Sequence, residues 1–327
     1  MTGRISVVIP TRNRAGMLVR LLEQLVPRLG DDLGEIIVVD NASSDDTENQ
    51  VAKFPQVRFV QNLQNHLSAH ARQQGWDLAT GTYVCFIDDD NLVEEGSLST
   101  LADYLDRHES VGLVGPVQRR WSDGSIWCAG GRINGFLVVS YDHHIDTHKQ
   151  IIEVDFQPNV FMVRNALREV GVNFDWKNFP HNWSEAEFGN QIRRAGFLVA
   201  TCVESTVYHD IDYSGYFTRI NPTNIFDQAK SRITYRKEYR NDPITWAVFL
   251  LIVLPVSVIA LVYETRKRVD RKKLLVLYLK GTLCGLISSC EGKQTRSDVA
   301  DEGTSSPSDL PLNQQGPTTL DATPPRQ

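Results

Sequence analysis

Tyr83-Val84-Cys85-Phe86-Ile87-Asp88-Asp89-Asp90 is a run of five apolar residues followed at once by three carboxylates. A short apolar run containing β-branched and aromatic residues predicts a strand buried on both faces. In open sheets of parallel strands, ligands bind beyond the carboxyl ends of the strands, and the aspartates stand at that end. Taken alone, they read equally as a solvated acidic turn. Adjacent carboxylates repel one another unless a cation or hydrogen-bond donors neutralise them. Hard oxygen ligands suit Mg²⁺ or Mn²⁺, and Mg²⁺ binds through one or two carboxylates together with substrate phosphates.

The same pattern, an apolar run followed by a polar loop, recurs on either side. Ile5–Ile9 predicts a strand running into Pro10-Thr11-Arg12-Asn13-Arg14, and Leu18, Leu21, Leu22, Leu25 and Leu29 then fall on one helical face. Glu35–Asp40 predicts a second strand, followed by the turn-rich Asn41–Thr47, and Val57–Val60 a third. Ser68–Ala79 and Ser97–Arg107 read as helices, and Val111–Val117 as a strand. This alternation predicts an α/β fold, a mostly parallel twisted sheet flanked by helices. From about 121 to 165, short strand-like runs with Gly130, Gly131 and Gly135 predict an added antiparallel segment. Glu185–Ala195 reads as a helix capped by Gly196, Phe197–Val203 as a strand, and a further short strand precedes Tyr208-His209-Asp210.

Composition narrows the function. The chain has 327 residues, 41% hydrophobic and 23% charged, with a formal net charge of −6. That is ordinary globular composition, and an acidic chain is a poor candidate for binding a nucleic-acid backbone. The five cysteines show no C-x-x-C spacing and predict reduced thiols in a cytosolic setting. Met1-Thr2-Gly3-Arg4 leads straight into the first strand without a signal-peptide pattern, which predicts that the bulk of the chain stays on the cytoplasmic side.

The C-terminal third is different. Ile244–Tyr263 is twenty residues without a charge, just long enough to cross a bilayer. Basic residues flank it on both sides, so charge bias does not choose an orientation. Pro255 at its centre predicts a kink, or a shallow hairpin with both ends cytoplasmic. Leu274–Ser289 is a second, shorter apolar stretch suited to the membrane interface or to a re-entrant pair. Arg232, Arg236 and Arg240 form one helical stripe. By default that is a solvated face, and beside an apolar segment it also suits lipid head groups or the phosphates of a lipid-linked acceptor. Residues 291–327 are rich in Ser, Thr, Pro and Gln and predict disorder.

Three stretches together, Val7-Val8-Ile9-Pro10-Thr11-Arg12-Asn13-Arg14, Ile36-Ile37-Val38-Val39-Asp40-Asn41-Ala42-Ser43-Ser44-Asp45-Asp46-Thr47 and Ala71 to Asp90, resemble the nucleotide-binding half of family 2 glycosyltransferases of the GT-A fold. By that resemblance Thr11, Arg12, Asn13, Asp40, Asn41 and Arg72 line the nucleotide-sugar site with Asp88 and Asp89. Asp88, Asp90 and His209 belong to the metal site, for Mg²⁺ or Mn²⁺. Where members often carry Asn after Ala-Arg, this chain has Gln73. The segment Trp183-Ser184-Glu185-Ala186-Glu187-Phe188, followed by Arg193, Arg194 and Gly196, resembles the family's acidic helix. Aligned on the downstream Arg and Gly, the catalytic base is Glu185, with Glu187 as its companion. Either carboxylate could take the proton of an acceptor hydroxyl. A solvated helix start, where the helix dipole favours Glu, is the bland alternative.

The resemblance implies an inverting transfer from a nucleoside-diphosphate sugar to a hydroxyl of a glycan; the apolar run at 244–263 adds a cell-membrane anchor with the catalytic domain in the cytoplasm, and with it a lipid-linked glycan as acceptor. Together these readings divide the chain into a catalytic domain at 1–221 (nucleotide-sugar half 1–120, acceptor half 121–221), a basic juxtamembrane helix at 222–243, membrane-associated segments at 244–290 and a tail at 291–327. A polyprenyl-phosphate sugar synthase on the same fold needs no strong base, because its acceptor is already an oxyanion. A non-catalytic membrane-tethered module that binds nucleotide sugars is the competing reading from another class.

Overall fold

The computed structural model describes residues 4–134, 139–143, 151–210 and 222–287. Gly135 and the tail from 291 lie outside the described residues. The strands are β1 (Ile5–Thr11), β2 (Leu33–Asp40), β3 (Arg58–Gln61), β4 (Tyr83–Ile87), β5 (Asn91–Val93), β6 (Val111–Arg120), β7 (Ile126–Cys128), β8 (Gly131–Ile133), β9 (Val139–Tyr141), β10 (Ile152–Glu153), β11 (Val160–Arg164) and β12 (Leu198–His209). The helices are α1 (Ala15–Leu25), α2 (Thr47–Val51), α3 (Leu67–Leu78), α4 (Ser97–Arg107), α5 (Ser184–Arg194), α6 (Pro222–Tyr239), α7 (Pro243–Glu264) and α8 (Arg271–Leu286).

The main sheet runs β10-β12-β6-β11-β4-β1-β2-β3. β1, β2, β3 and β4 are parallel, as are β6 and β12, and β11 joins the two sets by pairing antiparallel with both β4 and β6. Successive residues of β1 point to opposite faces. Ile5, Val7 and Ile9 enter the core beneath α1 and α4, whereas Val8 enters the one beneath α3 and α5. In that second core Phe174 stacks on Phe188 with ring centroids 4.2 Å apart, and Trp76 meets Phe188 edge-on.

Two expectations need correcting here. The segment after Gly196 is one strand, not two. The pairing of β12 with β6 slips between Cys202 and Thr206, so Val203 and Glu204 bulge outward and the strand resumes, carrying His209 to the sheet's far end. Nor does the chain turn at Pro255. α7 is one helix through it, with a π-helical stretch at Phe249–Val253 just before. The wider π turn eases the proline ring past the carbonyl one turn back. The reversal comes at 265–270, and α8 returns alongside α6.

The arginine stripe is a third correction, because it is not a solvated face. α7 folds over it: the Arg236 guanidinium lies 5.2 Å from the Trp246 ring centroid and 5.0 Å from that of Phe249, and Arg236 is fully buried. Arg232 donates to Ser257 Oγ at 3.0 Å, and Arg240 stays exposed. α8 approaches α6 through Gly281 and Gly285. A Cβ on Gly281 would stand 2.4 Å from the Phe226 carbonyl oxygen, and one on Gly285 2.6 Å from Ile233 Cβ. Gly281→Val should therefore cost about 1–3 kcal/mol by overpacking. In calorimetry it should lower the melting temperature, while Leu279→Ala on the exposed side of α8 should leave it nearly unchanged.

Candidate active site

β1, β2 and β4 run in one direction and end at one edge of the sheet, where a cleft of about 760 Å³ opens. β1 brings Thr11 and Arg12 to it, β2 is followed by Asn41, and β4 by Asp88, Asp89 and Asp90. His181, Trp183 and Glu185 come from the loop before α5 and from its first turn. β12 delivers His209, and α6 contributes Gln228 and Arg232. Arg72 reaches the cleft from α3.

The three aspartates are not a solvated turn. Asp89 is buried and accepts from Thr11 Oγ1 at 2.7 Å and from Arg14 at 2.9 Å. Burial pushes its carboxyl up to about 7, against the opposing pull of Arg14. Asp90 accepts from Arg14 at 2.8 Å and lies 3.4 Å from His209 Nε2. Burial would raise it too, but His209 and Arg14 together prevail and hold it at about 2. Asp88 accepts from Arg72 at 2.7 Å, and burial still raises its carboxyl despite that partner.

Arg72 is 1% exposed and forks between two acids, giving one nitrogen to Asp88 and the other to Glu185 Oε1 at 2.6 Å. Ser184 Oγ donates to the second Glu185 oxygen at 2.9 Å. Burial favours the neutral acid, but the Arg72 charge and hydrogen bond outweigh it, so the Glu185 carboxyl is held below the ordinary 4.5. Glu185 thus faces the cleft as a carboxylate.

Glu187 points elsewhere. It is buried, accepts from Tyr239 OH at 2.9 Å and Gln191 at 2.7 Å, and burial pushes its carboxyl up to about 7. It does not line the cleft. Two other expected site residues also fall short of the cleft wall. Asp40 is fully buried and binds Ser43 and Gln61, and Asn13 accepts from the Ser44 amide at 2.7 Å. Both pin the loop after β2 rather than facing the opening.

Sequence reasoning left three residues out of the site. Arg14, two residues past Arg12, links Asp89 to Asp90. Asn159 places its amide 3.2 Å from His209 Nδ1, and Trp183 forms cleft wall in a left-handed conformation at φ 67°. Arg14 was signalled by its place in the first loop. Nothing in the pattern singled out Asn159.

Among the described residues, no three His, Cys, Asp or Glu side chains are grouped as a protein-only metal site would require. Asp90 and His209 are neighbours, whereas Asp88 turns to Arg72. Among the described residues, the four acids Asp88, Asp89, Asp90 and Glu185 meet two guanidinium groups, Arg14 and Arg72, and the His209 imidazole.

The family model for glycosyl transferase family 2 matches residues 6–171, which hold β1 to β11 and all three aspartates. The chain belongs to this family. Its α/β sheet has the GT-A fold. The family match ends before α5, so Glu185 lies beyond it. Over 119 residues this chain is 34% identical to a PGL/p-HBAD biosynthesis glycosyltransferase of Mycobacterium tuberculosis, covering 33% of this chain and 44% of that one. Over 103 residues it is 36% identical to the GalNAc(5)-diNAcBac-PP-undecaprenol beta-1,3-glucosyltransferase of Campylobacter jejuni, covering 30% and 33%. The matched stretch spans less than half the length of either curated relative. Among solved structures it resembles a mannosyltransferase of Pyrobaculum calidifontis in complex with GDP-Man and Mn²⁺, with a TM-score of 0.56, 17% identity and 88% of both chains covered. It also resembles GalNAc-T7 with UDP, GalNAc and Mn²⁺, with a TM-score of 0.62, 14% identity and 75% and 49% covered.

Proposed function

We propose that this glycosyltransferase moves a sugar from a nucleoside-diphosphate donor to a hydroxyl of a glycan acceptor, with inversion at the anomeric carbon. The observation that carries the proposal is the ionised Glu185 on the cleft wall, tied through Arg72 to the aspartates at the end of β4. An acceptor hydroxyl is a poor nucleophile. Glu185 takes its proton as the oxygen attacks the anomeric carbon, opposite the breaking bond to the donor's diphosphate. Thr11, Arg12 and Asn41 frame the nucleotide, and Asp88 faces ribose and sugar. A phosphate acceptor would bring its own negative charge up to Glu185 and gain nothing from it.

The residues fit a divalent cation whose coordination the substrate completes. Asp90 and His209 supply oxygen and nitrogen side by side, and four acids set against two guanidinium groups favour a further positive charge there. When bound, Mg²⁺ or Mn²⁺ neutralises charge on the departing diphosphate. The Mn²⁺ in both solved neighbours supports the same reading.

The acceptor we favour is a glycan carried on a polyprenyl lipid, with the catalytic body on the cytoplasmic face, where nucleotide sugars are made. The apolar α7, the Arg232 that α6 adds to the cleft and the undecaprenol-linked substrate named for the Campylobacter relative support it. Purified enzyme incubated with a panel of nucleotide sugars and a lipid extract should release nucleoside diphosphate from one donor. Excess chelator should abolish release and Mn²⁺ or Mg²⁺ restore it. Activity unaffected by chelator would remove the cation. No turnover of any donor, with soluble glycans and lipid extract both tried, would overturn the transfer reaction.

A further inference from the structure

α7 is 22 residues long, about 33 Å of helix, and by length it could cross a bilayer. Its packing says otherwise. It runs antiparallel to α6 and meets it through side chains at several levels. Trp246 and Phe249 cover Arg236 near one end, Ser257 bonds Arg232 further along, and Leu261 joins Ile225 in one apolar cluster. The other side of α6 is bound to the catalytic body over the same length. Ser231 Oγ donates to the Asn178 carbonyl at 3.3 Å, Tyr235 packs on Trp183, and Tyr239 donates to Glu187. A spanning α7 would draw α6, with its arginines and its cleft residues, to hydrocarbon depth, or would have to tear away from it.

α7 is apolar all round, but the protein covers only one side. Trp246, Phe249, Val253, Ser257, Leu261 and Thr265 form the inward stripe. Ile244, Leu251, Ile252, Val256, Ile259 and Tyr263 form the outward one, with Leu251 77% and Ile259 67% exposed. α8 repeats the arrangement. It seats Leu274, Tyr278, Gly281 and Gly285 inward and leaves Val276, Leu279, Leu283 and Leu286 outside. Exposed cations border these faces: Arg266 and Lys267 in the turn, and Lys272, Lys273 and Lys280 on α8. Apolar faces of this extent bordered by cations are complementary to a bilayer whose head groups are anionic.

We propose that α7 and α8 lie flat in one leaflet of an anionic bilayer, with their outward faces in the acyl boundary. The enzyme is then monotopic, and both ends of α7 stay on the side of the catalytic body. This deepens the membrane reading given above and rests on it.

The test uses the full chain with Cys290→Ser and a fluorescent label on a single added cysteine at Leu251, Ile259 or Tyr263. Vesicles of phosphatidylcholine with phosphatidylglycerol carry lipids spin-labelled at set depths. An in-plane helix should show the same shallow quenching depth at all three positions, and binding should weaken in phosphatidylcholine alone. A helix that crosses should show depth changing steadily from 251 to 263, and that profile would overturn the proposal. Cysteines replacing Asp242 and Lys267 should both react with an impermeant reagent from the side of the catalytic body, and reaction from opposite sides would also overturn it. Leu251→Lys with Ile259→Lys should reduce vesicle binding about tenfold without altering nucleotide binding. Absence of vesicle binding, with a stable dimer in its place, would assign the face to a second copy and end the proposal. Transfer is assayed separately. If no lipid-linked acceptor is used while the flat depth profile holds, the acceptor reading falls and the placement stands.

Discussion

Glu185→Gln is expected to lower turnover by about two to four orders of magnitude while leaving donor affinity near that of the unaltered enzyme, the usual worth of a general base. Glutamine keeps the shape of the side chain: its oxygen can still accept from Arg72, and its amide can donate to Ser184 Oγ, whose hydroxyl has the His181 carbonyl 2.8 Å away to donate to, so the cleft should hold its form. It cannot take a proton. The acid limb contributed by Glu185 should lie below 4.5, because Arg72 depresses that carboxyl. The sign follows directly. The ionised base is fully present above the depressed value and is lost only as pH falls through it. Glu187→Gln should change turnover little, because that side chain faces Tyr239 and Gln191 and not the cleft. Single-turnover transfer measures the rate, and calorimetric titration with the nucleotide sugar measures affinity. If Glu187→Gln removes turnover and Glu185→Gln does not, the base lies two residues further on.

Much of this was legible in the sequence because strands buried on both faces are written as unbroken apolar runs. Tyr83–Ile87 and Ser97–Arg107 appear in the structure with the expected bounds. The carboxylates of the cleft were legible for a related reason, since acids directly after such a run or at a helix start must face either solvent or a partner. What the pattern could not carry was pairing. Nothing local shows that Arg14 and Arg72 pair with acids 16 to 113 positions away, or that Asp40 is spent on holding Ser43. The apolar run at 244–263 concealed its packing for a different reason. A helix apolar on every side gives no moment to reveal which face packs, so its seat on α6, and the burial of Arg236 beneath it, appear only in three dimensions. The outward bulge in β12 likewise looked like a break between two strands.

Arg72→Ala should be the most damaging single change to the stability of the body. The guanidinium joins α3 to β4 through Asp88 and to α5 through Glu185, and it is almost wholly shielded from water. Removing it leaves two half-buried carboxylates on the cleft wall, close enough to repel, beside Asp89 and Asp90. Breaking a fully buried pair costs about 3–5 kcal/mol; water in the cleft reaches both acids here and puts the loss at or below the lower end of that range, still a sizeable share of the 5–15 kcal/mol that typically holds a domain together. Arg72→Lys should lie between, because an ammonium can serve one carboxylate but lacks the fork that serves both. The pH dependence separates lost charge pairing from a simple cavity. In the intact enzyme Glu185 is depressed, so its contribution is present above the unfolded value and fades as pH falls. Without Arg72 burial raises both acids, the penalty is greatest when they are ionised, and protonation relieves it. The stability gap between the two proteins should therefore narrow as pH is lowered from neutral towards the carboxylate range. Urea unfolding at a series of pH values reads that gap, and a gap that is constant with pH would mean that Arg72 is packing rather than charge. A variant that still folds should also lose turnover, since an unpaired Glu185 is partly protonated and no longer held against the cleft wall.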